Sequence, residues 1–528
     1  MSPGPASPFN IAHHFIDQPA TNHPTRIAIV GEPLPITYGD LAKMVNRAGH
    51  ALLASGCRPG DRVLLVLPDS AEFIAAFFGA AKIGAIAVPV NPFARASSYA
   101  HYLEDSGARF ALVHQIAWQE FSAAREGKPL AAVVLVASET ETPAASECTP
   151  WSHWLADAPS NLAASETLSS DIAFFLYTSG SGGTPKAAVH EHKNMLATSA
   201  NYAHAVLGLT RDDITYSVSK LFFAYGLGNG MYFPLSVGAR TILDPGRPRV
   251  DRALEIVARH RPTVFFAVPT FYAALLGEVE RGLPADFSSV RLAVSAGEAL
   301  PAEIFTQFKN RFGLEILDGI GSTEMLHMFL SSRPGQARAG SCGMEVPRTQ
   351  ARLLDEAEMP VTASPVTAIQ SGNLWVKGPS ALREYWNKPE LTARTIRDGW
   401  VFTGDKFWRD ADGYYHHSGR CDDMLKIAGM WVSPGEVENA LLGHAAVAEA
   451  AVVGKLNDLG LYEPVAFVVL RSSQPPGSGF ASSAELANEI IHFANTRLAA
   501  YKCPRSVIFL PELPKTATGK IQRFKLRA

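Results

Sequence analysis

From Asp61 the chain reads DRVLLVLPDSAEFIAAFFGAAKIGAIAVPV: a continuous apolar run, a Pro-Asp-Ser break, apolar positions at helical spacing, then a second apolar run. That succession predicts a strand, a helix and a second strand, the unit from which sheets with helices on both faces are built. Short Val/Leu/Phe runs ending in Pro, Gly or polar residues recur in ARFALVH near 108–114, TVFFAVP at 263–269 and VRLAVSAGEAL at 290–300. Buried strands whose loops bind ligands end in this way. Near residue 350 the texture changes. TQARLLDEAEMPV, SGNLWVKG and DGWVFTGDKFWRDADGYYHHSG are short runs between turns and predict a small β subdomain. After SGRCDDMLKIAG the helical period returns, and Ser433-Pro434-Gly435-Glu436 sets a helix start at about Ser433, with Ser at the cap and Glu at the third helical position. AEAAVVG, EPVAFVVL, the Pro/Gly/Ser-rich RSSQPPGSG, a helix from about Ala484 to Leu498 and RSVIFLPEL complete an α+β module of roughly a hundred residues. The expected fold class is α/β: a large N-terminal domain of helix-flanked sheets with a small β subdomain over 1–420, a boundary at Cys421 and Asp422, and a small α+β domain over 423–528.

Composition narrows the function classes. In 528 residues, 47 Lys and Arg stand against 50 Asp and Glu, so the formal net charge of −3 argues against a broad electrostatic grip on nucleic acid or an anionic membrane. Hydrophobic residues make up 47% and charged residues 18%, enough apolar material for sizeable cores and too much for a disordered chain. The five cysteines are scattered and form no CxxC pair, which suggests neither a disulfide framework nor a zinc site and fits a reducing cytoplasm. MSPGPASPFN lacks the basic start and apolar stretch of a secretory signal, and the most apolar region, Phe73 to Val90, is broken by Lys82 and by glycines. A soluble cytoplasmic protein is expected.

Directly after the apolar run IAFFLY comes Tyr177-Thr178-Ser179-Gly180-Ser181-Gly182-Gly183-Thr184-Pro185-Lys186. Glycines let backbone N–H groups turn inward, hydroxyls add donors and Lys186 adds a point charge, as a polyphosphate requires. The stretch fails the Walker pattern, since Lys186 follows Pro185 and precedes Ala187. Taken alone, such a stretch is more often a plain surface loop. Asp318-Gly319-Ile320-Gly321-Ser322-Thr323-Glu324, Thr403-Gly404-Asp405, Ser418-Gly419-Arg420-Cys421-Asp422-Asp423 and Pro514-Lys515-Thr516-Ala517-Thr518-Gly519-Lys520 follow in that order. Together these segments resemble the adenylate-forming superfamily of acyl-CoA synthetases, adenylation domains and luciferases, over nearly the whole chain. Lys220-Leu221-Phe222-Phe223-Ala224-Tyr225-Gly226-Leu227-Gly228-Asn229 and Ser322-Thr323-Glu324-Met325-Leu326-His327 resemble the benzoate-CoA ligase branch.

The resemblance implies a carboxylate that attacks the α-phosphate of ATP, releases pyrophosphate and passes as acyl-adenylate to the thiol of CoA, with Mg²⁺ and fixed donors meeting the charge that develops. It implies that Thr178, Ser179, Gly180, Ser181, Thr184 and Lys186 hold the β- and γ-phosphates, Thr323 contacts the α-phosphate and Glu324 positions Mg²⁺. Asp405, expected in a turn, would accept from the ribose hydroxyls with Arg420 beside it. Gly297, Glu298, Asp318, Gly319 and Ile320 would wall the adenine. Lys520 would reach the carboxylate and α-phosphate during adenylation. Rotation of the C-terminal lid about Asp422 would then exchange Lys520 for the segment around Gly429, past which the pantetheine chain runs. Phe223, Ala224, Tyr225, Gly226, Ile320, Gly321 and His327 would line the acyl pocket, where aromatic walls and small residues suit a flat ring.

The expected activity is that of an aryl-acid CoA ligase acting on benzoate or a small substituted benzoate such as 2-aminobenzoate or a hydroxybenzoate. A free-standing adenylation enzyme that loads a carrier protein is the alternative, and a non-catalytic binding protein of the same fold the second. Monomer and homodimer both stay open. Two departures from the family's wording, Gly182 for Thr and Ala187 for Gly, remove one phosphate donor and predict weaker ATP retention. Asn373 stands in place of a commonly acidic residue.

Overall fold

The computed structural model describes residues 7–31, 34–137, 148–179, 184–363, 369–421, 423–427, 430–457, 462–471, 483–515 and 521–527. The unit predicted from Asp61 onward is present as strand Arg62–Val66, helix Ala71–Lys82 and strand Ile86–Pro89, the two strands pairing in parallel. Ser70 starts the helix by accepting the Phe73 N–H, at 3.2 Å. Residues 73–82 of that helix are all buried, Lys82 included. A helix apolar on every side belongs between two layers, and this one lies between two sheets. Its one buried charge, Lys82, is met by Asp17 Oδ1 at 2.6 Å and Asn46 Oδ1 at 2.5 Å, while Glu72 lies outside the buried stretch.

Among the described residues, one sheet has nine strands in the order Met344–Glu345, Met328–Ser331, Ile316–Gly321, Leu292–Ser295, Val264–Ala267, Ile214–Ser217, Arg240–Ile242, Ile27–Val30, Ile36–Thr37. The other has eight: Glu384–Tyr385, Pro185–Glu191, Ile172–Ser179, Ile86–Pro89, Arg62–Val66, Phe110–His114, Ala132–Val136, Thr149–Pro150. Leu65, Phe77, Phe78, Phe174, Phe266 and Val294 meet in the core shared by both sheets. The predicted β subdomain is a five-stranded sheet built on Gln370–Lys377 and Trp400–Arg409.

The C-terminal part holds a three-stranded sheet of Val447–Leu456, Tyr462–Leu470 and Ser506–Phe509 with its own apolar cluster. Helix Pro434–Leu442 starts at Ser433, whose Oγ accepts the Glu436 N–H at 3.2 Å. The later helix, Ser483–Asn495, stops short of Leu498, where Thr496 turns its hydroxyl onto the Phe493 carbonyl at 2.7 Å. Helix Pro434–Leu442 packs on helix Ala302–Phe312 and on strand Tyr415–Arg420, and Arg471 pairs with Glu280 at 3.4 Å, so among the described residues this part touches the large body through several elements. Among the described residues no helix is long and apolar enough to cross a membrane.

Candidate functional site

Strands Ile172–Ser179 and Pro185–Glu191 are antiparallel neighbours, with Thr178 opposite Lys186 and Ser179 opposite Pro185. The glycine-bearing stretch is therefore the connection of a hairpin, and Lys186 stands at its return. Gly180, Ser181, Gly182 and Gly183 lie outside the described residues, and Thr184 is exposed. Ala187 is fully buried opposite Tyr177, a position inside the sheet core.

Lys186 turns toward residues remote in sequence. Its Nζ donates to the Tyr385 hydroxyl at 2.7 Å, lies 3.9 Å from the centre of that ring and is 3.6 Å from Glu324 Oε1. Tyr385 in turn donates to Glu324 Oε1 at 2.6 Å. Burial lowers the Lys186 pKa, with Glu324 opposing. For Glu324 burial acts upward, but Lys186 and the Tyr385 hydroxyl outweigh it and keep the carboxyl below its ordinary value. A carboxylate held ionised with part of its surface open suits Mg²⁺, which takes most of its oxygens from phosphates and water. Among the described residues no group of three or more His, Cys, Asp or Glu side chains is placed to hold a metal ion.

Ser322 caps the short turn Thr323–Met325 by accepting the Met325 N–H at 3.2 Å. His190 Nε2 meets the Thr323 carbonyl at 2.8 Å, which requires the proton on Nε2, and its ring stacks on Phe174 with centroids 5.2 Å apart. Burial pushes His190 down to about 4, so it is neutral at pH 7 and fixes the turn without adding charge. Sequence reasoning missed both Tyr385 and His190.

Asp405 lies within the long strand Trp400–Arg409, not in a turn as expected; Gly404, at φ 76°, supplies the local distortion that made Thr-Gly-Asp look like one. Arg420 is its cross-strand partner. Asp405 Oδ1 accepts from Arg420 Nη1 at 3.3 Å and faces His417 Nε2 at 3.3 Å, and Arg420 Nη1 also donates to the Thr403 carbonyl at 3.1 Å.

Strands Leu292–Ser295 and Ile316–Gly321 run in parallel and bring Gly297 and Glu298 close to Asp318, Gly319 and Ile320 at their carboxyl ends, where α/β sheets place their ligands. Gly297 has φ 94°, open to glycine and strained for other residues. The Glu298 carboxylate is felt by Arg523, which is bound to Glu438 at 2.8 Å and Asp423 at 3.6 Å. Asp318 is 4% exposed, and its Oδ1 has no hydrogen-bond partner among the described residues. Burial pushes its pKa up to about 8, so the carboxyl keeps its proton at pH 7. Between about pH 4 and pH 8 the unfolded chain gives up a proton that the folded chain retains, so this group's contribution to stability falls as pH rises. Asp318→Asn removes that loss. Its melting temperature relative to wild type is expected to rise from about pH 5 to about pH 8, and a constant difference across that range would contradict the assignment.

The predicted acyl-pocket residues gather around the same strand. Phe223 is half-buried with its ring centroid 4.2 Å from that of Phe222; Ala224 and Gly226 are buried in the short helix Ala224–Leu227. Tyr225 donates to the Val294 carbonyl at 3.2 Å. His327 is 2% exposed, and its ring centroid is 4.5 Å from Phe233, 5.2 Å from Tyr202 and 5.5 Å from Tyr225. Its Nε2 donates to Asn229 Oδ1 at 3.2 Å, while burial pushes its pKa down to about 3 and keeps it neutral. A Cβ on Gly321 would lie 2.6 Å from the His327 carbonyl oxygen, so the strand and the return at His327 touch backbone to backbone. Ile320 is half-buried against the β subdomain core. Asp422, Gly429 and Lys520 lie outside the described residues.

A groove of about 1040 Å³ lies apart from these residues, with a lining that includes Phe93, Arg95, Asp244, Arg247 and Arg252. It meets the acyl segment through Lys220, whose Nζ donates to the Asp244 carbonyl at 2.7 Å.

Comparison with known proteins agrees with this geometry. A family model described as AMP-binding enzyme matches residues 16–386, and one described as AMP-binding enzyme C-terminal domain matches 436–520. The chain is 42% identical to a benzoate–CoA ligase of Thauera aromatica, over 93% of this chain and 90% of that one. It is 39% identical to a 3-hydroxybenzoate–CoA ligase of Aromatoleum sp. (strain CIB), over 98% and 94%. Among solved structures, the anthranilate CoA ligase AuaEII in complex with anthranoyl-AMP superposes with a TM-score of 0.91 at 38% identity, covering 98% of this chain and 97% of that one. A benzoate CoA ligase from Burkholderia xenovorans LB400 does so with a TM-score of 0.89 at 41% identity, over 98% and 100%. Matched by these models over most of its length and by such relatives over nearly all of it, the chain belongs to the AMP-binding enzyme family.

Proposed function

We infer that the protein is an ATP-dependent aryl-acid CoA ligase. The observation that carries this reading is the continuity of residues 320–327: one strand end and return supplies Glu324 to the Lys186 cluster and His327 to the ring cluster of Tyr202, Tyr225 and Phe233. A carboxylic acid seated against the pocket rings therefore presents its carboxylate to the side where Lys186 and Glu324 stand. The carboxylate oxygen attacks the α-phosphorus, the bond to pyrophosphate breaks, and the CoA thiol then displaces AMP from the acyl carbon. When bound, Mg²⁺ neutralises charge on the leaving pyrophosphate. Lys186 adds a fixed positive charge, Thr323 a hydroxyl on a turn fixed by His190, and Asp405 with Arg420 a donor–acceptor pair for the ribose. Lys520, rotation at Asp422 and the passage at Gly429 belong to this proposal through sequence resemblance.

Relatives named as ligases of benzoate, hydroxybenzoates and anthranilate support a benzoate or small ring-substituted benzoate as substrate. Pyrophosphate exchange with a panel of benzoate, aminobenzoates, hydroxybenzoates and aliphatic acids tests the first step, and exchange is expected with members of the aromatic set. No exchange with any of them would overturn the reading. Incubation of the loaded enzyme with free CoA and with a phosphopantetheinyl carrier separates the acceptors: transfer to the carrier alone would favour the carrier-loading alternative.

A further inference from the structure

Tyr385 sits in REYWNKPE, a stretch with no chemical signature. The short strand Glu384–Tyr385 pairs with Pro185–Glu191, Tyr385 opposite Ala188. Side chains two residues apart on a strand share a face, so the residue opposite Ala188 is the diagonal neighbour of Lys186. Register thus delivers the ring to the lysine. The ring is 2% exposed and packed with Met325, Leu330, Leu374 and Phe407, which fixes where its hydroxyl points.

That hydroxyl has one proton to give, and its two charged neighbours are unambiguous: an ammonium only donates and a carboxylate only accepts. It accepts from Lys186 Nζ at 2.7 Å and donates to Glu324 Oε1 at 2.6 Å, whereas Lys186 and Glu324 stand 3.6 Å apart. The two charged groups are joined through the hydroxyl rather than collapsed onto each other. Resting on the nucleotide-site reading above, we propose that Tyr385 is a positioning residue of the ATP site, its hydroxyl aiming the Lys186 ammonium and the Glu324 carboxylate toward the metal–triphosphate. Phenylalanine at this position keeps the packing and the ring beneath the ammonium and deletes the link. Lys186 and Glu324 are then free to pair directly, which withdraws both from the ligand.

Calorimetric titration of Tyr385→Phe with ATP and with AMP tests this. A lost hydrogen bond to a charged group corresponds to roughly a tenfold change in affinity or more. ATP affinity at saturating Mg²⁺ is expected to fall about tenfold, and the Mg²⁺ concentration for half-maximal ATP binding is expected to rise. AMP, which lacks the outer phosphates, is expected to bind within about twofold of wild type and serves as the check on folding. In a Lys186→Ala background the same change is expected to cost much less, because one end of the link is already gone. Unchanged or tighter ATP binding by Tyr385→Phe, equal losses for ATP and AMP, or a full additive loss in the double variant would each overturn the proposal. These measurements contain no acid and no CoA. A protein that shows the expected ATP and AMP pattern yet uses no aryl acid would overturn the ligase reading and leave Tyr385 in its role.

Discussion

Glu324→Gln is expected to lower the rate of acid-dependent pyrophosphate exchange by about two to three orders of magnitude, the range seen when one fixed electrostatic group is removed from a developing charge. The substitution is nearly isosteric, and the Tyr385 hydroxyl can still donate to the amide oxygen. What disappears is the negative charge, which draws on Lys186 at 3.6 Å and gives a hard cation an anionic oxygen. The structure lets two consequences be separated. Lys186 is half-buried and loses its countercharge, so the local cluster rearranges; Asp405 and Arg420, proposed above for the ribose, lie on other strands and keep their own pairing. Exchange rates should therefore collapse while AMP still binds. An exchange rate within about threefold of wild type at saturating acid and Mg²⁺ would remove Glu324 from the reaction.

Gly226→Ala is expected to strike the acid side with comparable force. A Cβ there would overlap the carbonyl oxygens of Lys220 and Ser219, a clash that backbone atoms can relieve only by moving. Lys220 resists: it is 4% exposed, and its ammonium is held by the Asp244 carbonyl at 2.7 Å and the Asp244 carboxylate at 3.5 Å. The strain is therefore expressed in the helix Ala224–Leu227 and the pocket wall that it carries. Displacement of about an ångström near a reacting group costs about 10²-fold in rate, and overpacking costs about 1–3 kcal/mol of stability. We expect kcat/KM for the aryl acid to fall by about 10² with AMP affinity unchanged, and retention within threefold would count against the pocket assignment. Gly277→Ala is the contrasting control, since nothing lies within 4 Å of its Cβ position in helix Pro269–Glu280. It is expected to gain about 0.5–1 kcal/mol from the backbone alone.

Much of the fold was legible because its signals are local. Helix Ala71–Lys82 is apolar on every side, and its Pro-Asp-Ser break ends in the residue that caps it. The start at Ser433 was read from a four-residue window, and the hydrogen bond that defines it lies inside that window. Asp405 was misplaced for the converse reason: Thr-Gly-Asp looks the same in a turn and in a strand whose glycine takes a positive φ, and only pairing over Trp400–Arg409 tells them apart. Lys186 and Glu324 were found through ordered motifs, yet their meeting was not, because 138 positions separate them and the contact is set by how two sheets approach. Tyr385 and His190 were invisible for the same physical reason. One reaches the site through cross-strand register and the other through a ring nitrogen on a carbonyl, and neither leaves a mark on its neighbours in sequence.

The pairing of Glu384–Tyr385 with Pro185–Glu191 also bears on how the molecule is made. These two residues cover the outer edge of the eight-stranded sheet, and they do so almost two hundred positions after the strand they protect. A nascent chain or proteolytic fragment ending before Glu384 carries strand Pro185–Glu191 with its outer hydrogen-bonding groups unsatisfied, a template for pairing with another chain. Delivery of the Tyr385 ring to Lys186 and protection against edge-to-edge aggregation thus arrive in the same step of synthesis.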